Sequence, residues 1–114
     1  MKETIDRTVF AVLSDTVGAD FIGELIDTFI EESPGMFQEM QQALSAGDVD
    51  TFRRAAHSLK TNANTFGATD LAEQARDLEY MARENNLDVG DKLNVLEESY
   101  KKAARELTTL KEDS

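Results

Sequence analysis

Cysteine and tryptophan are missing from this 114-residue chain, and proline occurs once. Without cysteine there are no disulfides and no thiolate chemistry, as suits a reducing compartment. One proline, six glycines and many Ala, Leu, Glu and Met residues leave little to interrupt helix. Cations are scarce too: 12 Lys and Arg stand against 23 Asp and Glu, a net charge of −11. Such a balance argues against nucleic acid, whose binding neutralises several phosphates, and against anionic membrane surfaces. No apolar run approaches the roughly 20 residues that span a bilayer. The amino terminus, MKETIDRTVF, lacks the apolar stretch of a signal peptide. What remains is a soluble, cytoplasmic, acidic protein with one domain over residues 1–114. Its opening methionine suits a free-standing chain rather than the end of a larger kinase.

What is present is helical spacing almost throughout. A short first helix carries Ile5, Val9, Val12 and Leu13 and closes near Gly18. The next runs from Ala19 to Glu32 with Phe21, Ile22, Leu25, Ile26 and Phe29 as its apolar stripe. Ser33-Pro34 opens either a third helix or a kinked continuation bearing Phe37, Met40 and Leu44. Gly47-Asp48 is a stop followed by a cap, and a helix from Val49 to Thr65 buries Phe52, Ala55, Leu59, Ala63 and Phe66. Beyond Gly67, Thr69-Asp70 starts a helix with Leu71, Ala75, Leu78 and Ala82, ended by Asn85-Asn86. A last helix, Val89 to Leu110, places Leu93, Leu96, Tyr100, Ala103, Leu107 and Leu110 on one seam. Short loops make neighbours antiparallel. The expected fold is all-α: an up-and-down four-helix bundle with a short additional N-terminal helix.

The acids are not evenly spread. The nineteen residues from Thr51 to Thr69 hold none, where composition predicts about four. The chain's only histidine, His57, lies in this gap with Arg53, Arg54 and Lys60. With Leu59 taken as the core direction, His57 falls about 160° away, on the wet face. Its neighbours one turn away are Arg53, Arg54, Lys60 and Thr61. An incidental surface histidine on a solvated basic face is the plain reading. The sharper one is an exposed nucleophilic imidazole, beside cations that would stabilise a phosphoryl group formed on it. Folding the two helices about Gly67-Ala68 sets His57 opposite Leu78-Glu79. Leu78 points inward; Glu79 lies about 100° round, at the interface edge. There it is either an ordinary solvated glutamate or the acceptor of a hydrogen bond from Nδ1–H, which would leave Nε2 with its lone pair outward.

The string AHSLKTNANTFGA, Ala56 to Ala68, resembles the signature of histidine-containing phosphotransfer domains of bacterial phosphorelays. That signature reads H-x-L-K-G with a further glycine six residues on. His57, Leu59, Lys60 and Gly67 fit it, as do Gly47-Asp48, Leu71 and Leu78-Glu79. The likeness covers nearly the whole chain and includes the bundle architecture. It implies a phosphorelay intermediate that takes a phosphoryl group from a receiver-domain phospho-aspartate onto His57 and passes it to another receiver. Lys60 would steady the phosphoryl group and Glu79 orient the ring. Thr61 stands where the family usually has glycine, which bears on partner preference. Docking would involve Arg53, Arg54, Thr61, Asn64, Gly67 and Arg83. The expected partners are receiver domains of response regulators and of a hybrid histidine kinase. The chain is expected to be a monomer with no cofactor of its own, the Mg2+ sitting on the receiver.

The rival reading is a helical interaction module in which His57 is incidental. Other chemistries fail on residue counts. No Gly-rich nucleotide loop of either common type is present, so the chain is not expected to phosphorylate itself from ATP. Ser58 diverges from His57 by about 100° and cannot pair with it as a hydrolase nucleophile. One histidine excludes the paired Glu-x-x-His motifs of a di-metal bundle.

Overall fold

Two residue types, glycine after a helix and aspartate before one, set most of the boundaries in the computed structural model, which describes residues 4–113. Five helices result: α1 (Arg7–Val17), α2 (Ala19–Ala46), α3 (Val49–Phe66), α4 (Thr69–Arg83) and α5 (Lys92–Glu112). Asp6 caps α1, its side chain accepting from the Thr8 and Val9 amides. Asp48 caps α3, accepting from the Thr51 amide at 3.1 Å and the Thr51 hydroxyl at 2.7 Å. α2 to α5 close into an antiparallel four-helix bundle in which each helix packs on two others, and α1 lies against α2 and α3. The described residues contain no strand. The expected architecture is the observed one.

The core follows the apolar seams. Ile22, Ile26, Phe29 and Met40 of α2 meet Phe52, Leu59 and Phe66 of α3, Leu71 and Leu78 of α4, and Leu96 and Leu107 of α5. Burying each such side chain contributes about 1.5–3 kcal/mol. Phe29 packs at a tilt on Phe66, ring centres 5.2 Å apart, and meets Tyr100 edge-on at 5.7 Å, tying three helices together.

One junction that the sequence left open is settled, and two details depart from its pattern. Ser33-Pro34 starts no new helix: α2 runs through it for 28 residues. Proline withholds the amide that Ile30 O would normally receive, and the Tyr100 hydroxyl of α5 donates to that carbonyl instead, at 3.3 Å. α1 presents Phe10, Leu13 and Val17 to the core, while Val9 and Val12 are exposed. Both sets have helical spacing, so periodicity alone could not choose between them. Ile5 is buried ahead of the helix. Finally, α5 begins at Lys92 rather than Val89, because Gly90 turns the chain through φ 55° after Val89 has been buried.

Candidate functional site

The turn between α3 and α4 positions the site. Gly67 ends α3 at φ 80°, a left-handed conformation that suits glycine. It is also wedged beneath the N-terminal segment: the Asp6 amide donates to Gly67 O at 2.7 Å. A Cβ on Gly67 would stand 2.8 Å from the Asp6 carbonyl oxygen. Only glycine meets both demands. With this turn fixed, α3 and α4 run back antiparallel and the mirror pairing of His57 with Glu79 becomes a contact.

His57 Nδ1 lies 2.6 Å from Glu79 Oε2. The imidazole is half exposed, its side chain at 54%, whereas the Glu79 side chain is at 4%. Glu79 is thus sealed more deeply than its place at the interface edge suggested. Lys60 closes the arrangement by donating from Nζ to the other oxygen, Oε1, at 2.6 Å. Arg83, one turn further along α4, brings Nη2 to 3.6 Å from Oε2. Burial pushes the Glu79 carboxyl up, but the hydrogen bonds and charges of Lys60 and His57 outweigh it, and its pKa lies below the ordinary value. Glu79 is therefore an ionised acceptor. The hydrogen it receives from Nδ1 fixes the tautomer, so the neutral ring keeps its lone pair on Nε2. Nε2 has no hydrogen-bond partner among the described residues. The arrangement is an oriented, outward-facing nucleophile with a cation beside it.

The other sequence candidates fall into two groups. Arg53 and Arg54 do not converge on the imidazole. They turn toward the start of α3, Arg53 reaching Asp50 at 3.8 Å and Arg54 donating to the Asp50 carbonyl at 3.4 Å. Thr61 is exposed one turn from His57, its hydroxyl tied back to the His57 carbonyl at 3.1 Å. Asn64 lines a groove of 140 Å³ with Lys60, Thr69, Ala72, Glu73 and Arg76. Gly67, expected at the docking face, is buried and offers a partner no surface; its contribution is the turn. Sequence reasoning missed the pairing of Lys60 and Arg83 with Glu79. The Glu79–Arg83 spacing of four was a visible signal, whereas Lys60 reaches Glu79 only because its side chain is long enough to cross the hairpin.

Known proteins resemble this chain in sequence and fold. Residues 24–112 match the Hpt domain family. The chain is 25% identical over 84 residues to the phosphorelay protein LuxU of Vibrio vulnificus strain YJ016, a stretch covering 74% of this chain and 73% of that protein. LuxU of strain CMCP6 gives the same figures. The crystal structure of histidine-containing phosphotransfer protein B (HptB) from Pseudomonas aeruginosa PAO1 superposes with a TM-score of 0.92 at 27% identity, over 100% of this chain and 99% of that one.

Proposed function

The chain belongs to the Hpt domain family, and from that premise we propose that His57 is where it carries a phosphoryl group between receiver-domain aspartates. Proteins of this family are phosphocarriers, and this one is a phosphorelay intermediate. The observation that supports His57 is its 2.6 Å bond to a buried, ionised carboxylate. With Nδ1–H held there, Nε2 attacks the phosphorus of a receiver's phospho-aspartate. The N–P bond forms as the acyl-phosphate P–O bond breaks, and the receiver's aspartate leaves as a carboxylate. The ring, now substituted on one nitrogen and protonated on the other, is positively charged, and Glu79 stabilises it. Lys60 stabilises the phosphoryl oxygens. The reverse sequence delivers the group to a second receiver. Such transfers pass through loose transition states in which positioning and charge dominate.

The Mg2+ that assists belongs to the receiver, and the chain takes its phosphoryl group from that partner rather than from ATP. Receivers of response regulators and of a hybrid histidine kinase are the partners, docking over His57 among Arg53, Arg54, Thr61, Asn64 and Arg83. No described helix is long and apolar enough to cross a membrane; the reading places a monomer in the cytoplasm. Incubation with a phosphorylated receiver tests it. Label is expected on His57 and absent from a His57→Gln variant, and label persisting in that variant overturns the assignment.

A further inference from the structure

Glu79 is one carboxylate served by three positive or proton-donating groups, and they are unequal. Lys60 holds Oε1 at 2.6 Å, His57 holds Oε2 at 2.6 Å, and Arg83 stands off the same Oε2 at 3.6 Å. The Arg83 contact is within ion-pair range but too long for a hydrogen bond. In the resting molecule Arg83 is redundant, because Lys60 already neutralises the buried charge. The redundancy ends once His57 is phosphorylated. A phosphoryl group on Nε2 brings a charge of about −1.5 to −2 next to Lys60, against the single charge of Glu79. Lys60 is the flexible cation one turn from His57 on the same helix, and the phosphoryl group draws it off. Glu79 would then keep the charged ring at Oε2, but Oε1 would be a buried oxygen stripped of its donor, a costly state.

We propose that Arg83 is the reserve counter-charge of Glu79, closing on the carboxylate as Lys60 moves to the phosphoryl group. Arg83 is equipped for this. It lies on α4 with Glu79, four residues on, and its side chain is 58% exposed, which leaves it room to move. Its planar fork satisfies both carboxylate oxygens, which a point charge cannot do. Arg83 is thus a positioning residue: it acts through Glu79 and frees Lys60 for the reaction.

The inference rests on His57 being the phosphoacceptor, and the test separates the two. Phosphoramidate serves as a small donor, its P–N bond breaking with loss of ammonia as the Nε2–P bond forms. No receiver is present, so docking does not enter. The lifetime of the phosphohistidine is followed by phosphorus NMR. Arg83→Ala is expected to shorten it about fivefold, since Lys60 stays with Glu79. Arg83→Lys restores it only in part, since a point charge cannot bridge both oxygens. In a Glu79→Gln background there is no buried charge to compensate, and Arg83→Ala leaves the lifetime unchanged. Equal shortening in both backgrounds places Arg83 directly on the phosphoryl group and overturns the inference, as does an unchanged lifetime in Arg83→Ala alone. Absence of phosphohistidine at position 57 in the unsubstituted chain overturns the phosphoacceptor assignment itself.

Discussion

A carboxylate shut away from water needs its cations for two purposes at once, and Glu79 shows both. Lys60 and His57 keep it ionised, and in that state it orients the imidazole. The same bonds make it a stability element with a pH signature. Its folded pKa lies below the ordinary 4.5, so its contribution is fully present above about pH 4.5 and is lost as pH falls through the folded value. The native state must then either protonate Glu79 and give up two charge-assisted bonds or unfold. Urea midpoints measured between pH 7 and pH 3 should therefore fall less steeply in Glu79→Gln than in the unsubstituted chain, with the gap opening only below about pH 4.5. Parallel profiles would mean that the carboxylate contributes nothing to stability. Half of this site was legible beforehand. The hairpin mirror placed Glu79 opposite His57, but nothing in the linear order revealed that Glu79 is sealed from solvent, because burial depends on how closely α3 and α4 approach.

The helices show how one element can depend on another for backbone satisfaction. α2 contains Pro34 yet continues through it, with Ser33 donating from Oγ to the Phe29 carbonyl at 2.6 Å and Tyr100 of α5 donating to Ile30 O. Tyr100 is therefore more than an aromatic filler between Phe29 and Phe37. Replacing it by Phe should cost about 1 kcal/mol in denaturant unfolding, the net worth of one hydrogen bond. In a Pro34→Ala background an ordinary helical amide reaches Ile30 O, and the same replacement should then cost about half as much or less. Equal costs in the two backgrounds would show that the hydroxyl bond does not compensate for the proline. The sequence left this junction open between a new helix and a continuation. The tyrosine whose hydroxyl serves the freed carbonyl stands 70 positions beyond Ile30.

At the scale of the whole molecule, the charge bears on the proposed monomer. The bundle measures 42 × 28 × 20 Å and carries a net charge of −11. Like charge of this size opposes self-association. The acid-free stretch of α3 interrupts that field along the helix that carries His57. Sedimentation equilibrium at low salt should give a mass near 12.7 kDa that does not change with protein concentration. A concentration-dependent rise toward twice that mass would contradict the monomer.

The sequence by itself determined the helical class, the bundle, the caps at Asp48 and Gly47, and the outward face of His57. All of these follow from local rules: spacing at 3.6 residues per turn, short loops, and residues suited to helix ends. Tertiary structure alone decided which of two equally periodic faces α1 buries and that Gly67 lies under Asp6 rather than at a docking face. It also turned Arg53 and Arg54 away toward Asp50 and gave Lys60 to Glu79. Those outcomes are set by distances between helices and by the reach of long charged side chains, and neither is written in the order of residues along one helix. The acid-free gap singled out His57. The buried acid that orients it came from the neighbouring helix, and only packing could make that carboxylate dry.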